Sequence, residues 1–285
     1  MTDPNISSSP EPQVAAPPGG RVLGAAKVLA ERLLWTRVAV QRRVEARRAA
    51  VRPVPTSVLP TDVLRSAAQW QVAAAEARHL RLPLHHDRPK NWDALGAVAA
   101  VLALTGAEDR PSLRVMDAGS ARYSSVLPWL RLYGLGDAPG SLLGINLEFG
   151  DTMHRDGVSF RQGDVTATDL PAASLDAITC MSVIEHGVPL EAFLAESARV
   201  LRPGGVLCVS TDFDQDPPDT RGVTAYGTPV RIFGPDDIRA FIAHASSQGL
   251  ELLGKTPDLH HAERPVHWKR TGLDYTFILL TFRRA

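Results

Sequence analysis

The sequence of 285 residues holds only two cysteines, Cys180 and Cys208. Two thiols cannot build a disulfide scaffold, so a reducing cytoplasm is the expected setting. Lysine is nearly as scarce: Lys27, Lys90, Lys255 and Lys269 are the whole set, and arginine supplies the rest of the 31 basic side chains. The 31 acidic side chains bring the formal charge to zero, which argues against a general polyanion binder. The longest uncharged apolar stretch, Ala94 to Ala107, is shorter than the roughly 20 residues that span a bilayer. The opening MTDPNISSSPEPQ lacks the basic and apolar regions of a signal peptide. What the chain does have is 44% hydrophobic residues and enough length for one large α/β domain with an appendage, or for two small domains.

Three regions differ in texture. Residues 1–20 are rich in Ser, Pro and Gly and are expected to be a disordered tail. Residues 21–85 read as a helical extension, and 86–285 as the main domain. Within Arg21 to Arg52, nine Lys/Arg stand against Glu31 and Glu45, and Val22, Leu29, Leu33, Val40, Val44 and Val51 recur along one helix side. Pro53 and Pro55 end that helix. Its stripe is expected to pack on the main domain or on a second subunit, which makes a homodimer through these helices possible. A basic amphipathic helix on a membrane surface or an acidic partner is the alternative. Residues 61–82 and 93–104 read as further helices, with Gly106 as the stop. From Arg110 onward strands and helices alternate, the signature of a parallel sheet with crossover helices.

The chemistry-bearing segments lie in this second half. Leu113, Val115 and Met116 form a short apolar strand, followed by Asp117-Ala-Gly119-Ser120-Ala121 and a helix from Ser124 to Tyr133. Ligands of open α/β sheets bind beyond the carboxyl end of such a strand, near a helix N-terminus. The later positions of a G-x-G-x-x-G dinucleotide fingerprint are missing, since Ala121 and Ser124 stand there. Ser141 to Glu148 reads as a second strand, Phe160-Arg-Gln-Gly-Asp164-Val165 as a third with its turn, and Ala177 to Met181 as a buried fourth. The fourth carries Ser182, Glu185 and His186 to the site edge. A helix then closes with Arg199-Val-Leu-Arg-Pro-Gly-Gly205 before a fifth strand, Val206 to Ser210.

Together these segments resemble the class I S-adenosylmethionine-dependent methyltransferases, and in particular a type-11-like methyltransferase domain. The D-x-G-x-A turn, the Gly-Asp pair at 163–164, the Leu170-Pro171…Ser174-Leu175-Asp176…Val183-Ile-Glu185-His186 run and the RVLRPGG turn carry the likeness over about residues 110–213. Leu175 replaces a customary phenylalanine. The resemblance implies a Rossmann-like α/β fold: a mostly parallel seven-stranded sheet closed by an antiparallel hairpin that includes residues 266–283, plus the helical N-terminal extension. It implies S-adenosylmethionine as cofactor, held by Asp117, Gly119, Ser120, Ala121, Asn146, Glu148, Asp164, Val165, Met181 and Ser182. The family's ribose-binding acid falls at Asn146, and Glu148, two residues on along the same strand face, is the other candidate.

A small-molecule acceptor, methylated at oxygen or nitrogen, is the expected substrate. Methyl transfer needs the acceptor about 3 Å from the methyl carbon and in line, and a base helps where a proton must leave. His186 and Asp212 are the candidates, with His260 and His261 behind them; His186 is alternatively a residue that orders its loop. The acid-rich insertion after the fifth strand, from Thr211, is expected to bind substrate. No metal-ligand spacing such as HxxxH or CxxC occurs. No Asn/Asp-Pro-Pro-Tyr/Phe tetrapeptide follows the fourth strand, so a nucleic-acid substrate is not expected. The competing functional class is a methyltransferase-like scaffold without turnover; a methyltransferase of RNA or protein is the weaker third.

Overall fold

The computed structural model describes residues 19–48, 52–225 and 227–285, with the side chains of the first segment described from Val28 to Ala46. The tail expected at the N-terminus therefore lies almost wholly outside the described residues, as do Val51 and the side chain of Val22. Helices α1 (Gly19–Arg48), α2 (Ala67–His79) and α3 (Lys90–Leu102), with the two-residue strand β1 (Asp62–Val63), precede the alternating half. That half runs β2 (Val115–Ala118), α4 (Val126–Leu132), β3 (Leu142–Asn146), β4 (Met153–Arg155), β5 (Val158–Gln162), β6 (Leu175–Met181), α5 (Leu190–Val200) and β7 (Leu201–Phe213). The hairpin β8 (Thr224–Ala225) and β9 (Thr228–Pro229), helix α6 (Pro235–Ser247), and strands β10 (Leu250–Leu252), β11 (Val266–Trp268) and β12 (Leu273–Arg284) complete the chain.

Seven strands form the frame of the main sheet in the order β5-β3-β2-β6-β7-β12-β10. The first five are mutually parallel, and β12 runs antiparallel to both β7 and β10. Short strands β1, β4 and β11 add to it, so the sheet has ten strands where the sequence leads one to expect seven. Every parallel strand therefore delivers its carboxyl end to the same edge. On one face of the sheet lie Trp92, Leu95 and Val98 of α3 and Trp129 of α4; on the other lie Phe193 and Leu194 of α5 and Ile238 and Phe241 of α6. Trp129 is wholly buried and keeps its polar edge satisfied by donating Nε1–H to the Pro83 carbonyl at 2.8 Å.

The extension is stitched into this frame. Asp62 and Val63 pair with Leu279 and Ile278 of β12, so residues 61–66 are not helical as their composition suggests; a ladder partner more than 200 residues away overrides local propensity. At Gly96 of α3 a Cβ would come within 2.5 Å of Leu279 and 2.8 Å of Val58, so the helix packs directly on β12. A second departure concerns α1. Its packed face is Trp35 and Val38, while Leu29, Leu33, Val40 and Val44, the stripe expected to pack on the main domain or on a second subunit, do not pack on the domain and are exposed in the single chain. Third, β3 ends at Asn146, so Glu148 is not on the strand; it lies in the turn beyond. Fourth, β7 begins at Leu201: Arg202 to Gly205 bulge out between the pairs Leu175↔Leu201 and Ala177↔Val206, where Arg202 meets Asp176. Among the described residues no helix is long and apolar enough to cross a membrane.

Candidate active site

Asp117, last but one in β2, is buried and central to its strands. Its Oδ1 accepts the Thr179 hydroxyl of β6 at 2.7 Å, and the Ser124 hydroxyl, just before α4, lies 3.3 Å from its Oδ2. Burial raises the Asp117 pKa, against the opposing hydrogen bonds of Ser120, Thr179 and Ser124. The carboxyl thus ties two strands to the start of a helix. Gly119 follows with φ +72°, where a Cβ would stand 2.5 Å from both Val183 methyls. Only glycine fits a turn that is both left-handed and so closely covered.

The turn is fixed from the neighbouring strand as well. Ser120 N–H donates to the Ile145 carbonyl at 2.9 Å. Asn146 donates its side-chain amide to the carbonyls of Ser120 at 3.0 Å and Gly119 at 3.3 Å, and its Oδ1 accepts the Glu148 N–H at 2.9 Å. The Ala121 carbonyl accepts the Ser124 hydroxyl at 2.7 Å. Asn146 is therefore engaged with the backbone on both sides, whereas the Glu148 side chain is exposed beyond the strand end. Asp164, also exposed, uses Oδ1 to accept the N–H of Thr166 at 2.8 Å and its hydroxyl at 2.7 Å, an Asx turn after β5. Val165 beside it is half-buried against the apolar cluster on the α5 and α6 side of the sheet. Met181 ends β6 and Ser182 follows it; Ser182 has φ +54° and donates its N–H to Ser210 O at 2.9 Å. All ten residues implied as cofactor ligands thus sit at or just past the carboxyl ends of β2, β3, β5 and β6.

Next to them lies a cluster that adds Lys90 and Asp93, which the sequence reading missed, to Glu185 and Asp212, which it named. Lys90, the first residue of α3, donates from Nζ to the Ser182 hydroxyl and stands over the Phe277 ring, 4.5 Å from its centroid. Asp93, three residues on and buried, accepts the Ser210 hydroxyl at 2.7 Å. Glu185, buried in the loop after β6, accepts the Thr211 hydroxyl at 3.1 Å. Asp212 is 3% exposed and accepts a hydrogen bond from Tyr275.

Charge in this cluster is tightly constrained. Burial opposes the Lys90 charge, but Asp93, Asp212 and Glu185 outweigh it and hold the ammonium above the ordinary lysine range. Burial, then Asp212, pushes Glu185 well above the carboxylate range. Burial raises Asp212 to about 6, with Lys90 opposing. The two carboxyls titrate as a pair. One signal could have exposed Lys90: it is one of four lysines in the chain, and it shares the head of an otherwise uncharged helix only with Asp93.

His186 is half-buried, with its ring edge-on to Trp268 at 6.2 Å between centroids. Burial, then Lys90, lowers its pKa to about 4, so it is neutral and weakly basic at neutral pH. Around the mouth, His85 and His86 stack at 4.3 Å, and Tyr123, from the turn after Ala121, lies 6.3 and 5.9 Å from them. His260 and His261 are elsewhere. His261 accepts the Gln215 N–H at Nε2 and bonds the Glu263 carbonyl at Nδ1, bracing a cavity of about 550 Å³ beyond β7 lined by Asp214, Asp216 and Arg264. Among the described residues, no group of three or more His, Cys, Asp or Glu is placed to hold a metal.

The sequence profile of a family described as a methyltransferase domain matches residues 118–209. A curated Mycolicibacterium smegmatis protein assigned as an S-adenosylmethionine-dependent methyltransferase is 46% identical over 54 residues, 19% of this chain and 21% of that one. The matched stretch is thus about a fifth of that relative's length. Among solved structures, one from Galdieria sulphuraria assigned as a sarcosine dimethylglycine methyltransferase shows 16% identity and a TM-score of 0.47 over 66% of this chain and 84% of its own. A geranyl diphosphate C-methyltransferase from Streptomyces coelicolor shows 17% identity and a TM-score of 0.45 over 71% and 87%. Residues 118–209, about a third of the chain, match the methyltransferase-domain family, the stretch that holds the VIEH and RVLRPGG segments and all of the D-x-G-x-A turn but Asp117.

Proposed function

We propose that the chain is an S-adenosylmethionine-dependent methyltransferase acting on an oxygen or nitrogen of a small molecule, a sugar or secondary metabolite. The observation that carries this reading is the turn Asp117–Ala121, locked by Thr179 and Asn146 at the edge where five parallel strands end. The cradle suits the cofactor: glycine at 119 leaves no side chain of its own over the turn, and carboxylates stand beyond β3 and β5. In this reading the turn and Met181–Ser182 seat the amino-acid part, Glu148 takes the ribose hydroxyls because Asn146 is already engaged, and Asp164 with Val165 faces the adenine. When bound, S-adenosylmethionine supplies an electrophilic methyl group on its sulfonium.

The acceptor site lies beside the Lys90 cluster. Of the two expected bases, Asp212 has its basicity raised and His186 has its basicity lowered, so the carboxyl pair is the better sink for a departing proton. Asp212 is too enclosed to meet the acceptor directly, and its hydrogen-bond partner Tyr275 is equally buried. His186 then acts by shape, holding its loop against Trp268. Two free, buried thiols suit the cytoplasm.

A scaffold without turnover is the second reading, favoured by Val183, whose methyls cover Gly119. Transfer of tritiated methyl groups into a panel of hydroxyl- and amine-bearing small molecules decides between them. Label incorporated by the wild type and lost in Asp117→Ala supports the enzyme. No detectable affinity for S-adenosylmethionine, together with no label in any acceptor, supports the scaffold.

A further inference from the structure

Helix α1 has two apolar faces, and the domain uses one. At about 100° per residue, Trp35 and Val38 share the face turned to the domain, together with Glu31 and Glu45. Both acids are engaged there: Glu31 lies 3.4 Å from Arg155, and Glu45 pairs with Arg52 at 2.6 Å. On the opposite side Leu29, Leu33, Val40 and Val44 fall within about 60° of arc. They are 58%, 62%, 53% and 41% exposed. Exposed Arg32 and Arg43 flank them on one side and exposed Arg37 on the other. Among the described residues of α1, the outward face carries no carboxylate.

We propose that this outward face lies in the plane of an anionic lipid surface, burying the four apolar side chains and setting the three arginines among headgroup phosphates. The stripe is about 22 Å long, and an interfacial helix of this kind needs one apolar face and a cationic border, with no spanning segment. The charge pattern is what selects lipid over other occupants. A second copy of the helix would meet a seam of Leu29, Leu33, Thr36, Val40 and Arg43, spaced alternately by four and three. That pairing drives Arg43 into the contact with no acid to receive it, because both glutamates face the domain. Residues 1–18 offer only Met1, Ile6 and Val14 as large apolar side chains, too few to cover the stripe.

Co-sedimentation of the full chain with vesicles tests this directly. Vesicles of phosphatidylcholine with an equal part of phosphatidylglycerol should bind the protein, vesicles of phosphatidylcholine alone should not, and added salt should weaken the binding. The triple variant Arg32→Gln, Arg37→Gln, Arg43→Gln should bind about a hundred-fold more weakly. Leu29→Ser with Leu33→Ser and Val40→Ser should abolish binding while leaving the unfolding midpoint unchanged, since these side chains touch no core. Equal binding to both vesicle types, or to neither, overturns the proposal. So does a dimer in sedimentation equilibrium that the serine variant splits, which would assign the face to a second copy.

Discussion

Asn146 donates its side-chain amide to the Ser120 carbonyl at 3.0 Å, fastening the end of β3 to the turn that follows β2. With the Thr179–Asp117 bond on the other side, the turn is held by both flanking strands before any ligand arrives. Preorganisation of this kind reduces the ordering cost of binding. Asn146→Ala should therefore weaken S-adenosylhomocysteine binding and lower stability by about 1–3 kcal/mol, because buried carbonyls lose their donor. Urea unfolding with parallel ligand titration measures both; Asn146→Ala at wild-type affinity would remove Asn146 from the account.

Gly119→Ala should cost about 2 kcal/mol or more, since a left-handed φ and a Cβ 2.5 Å from Val183 act together. Val183→Ala in the same chain relieves the clash and leaves the backbone strain. The double variant should recover part of the loss, and full recovery would show that φ at 119 carries no cost.

Lys90→Met leaves Asp93, Glu185 and Asp212 buried without their cation. A loss of about 3 kcal/mol at neutral pH is expected, with smaller loss in acid where the carboxyls are protonated. The pH–rate midpoint of the carboxyl pair should also move upward, a readout that a merely structural role would not produce. Lys90→Arg keeps a cation beside the carboxyls and over Phe277, so it should hold the midpoint near the wild-type value.

Asp212 gives the fold a pH dependence of definite sign. The ordinary aspartate value is 3.8, and the folded value is about 6. Between them the folded chain binds a proton that the unfolded chain does not. This group's contribution is therefore complete below about pH 4 and is lost as pH rises through about 6, by about 3 kcal/mol. Glu185 shifts in the same direction. Urea midpoints across that range should fall for the wild type and stay flatter for Asp212→Asn; parallel slopes would contradict the assignment.

The parts of the site that were legible in the sequence share one physical property: each sits where a strand ends and a loop begins. Asp117, Gly119, Asp164 and Ser182 follow apolar runs, and a parallel sheet brings all such ends together. Lys90 was not legible because its partner Ser182 is 92 positions away on another layer, and a cation heading a helix looks like a solvated one. The strand β1 was hidden for the same reason, its ladder being supplied by β12. In α1 the periodicity was real, but an apolar stripe reports only that a face is apolar; Trp35 and Val38 on the opposite side decided which face the domain took. Glu148 was placed on a strand by alternation alone, and the Asn146–Glu148 bond turns the chain two residues sooner.

Calorimetric titration of S-adenosylhomocysteine into the wild type and Asp117→Ala is the most direct test of the central claim. The account predicts one site per chain in the wild type and loss of measurable heat in the variant, with the variant still folded by circular dichroism. Absence of binding to the wild type, or equal affinity in the two proteins, would contradict it.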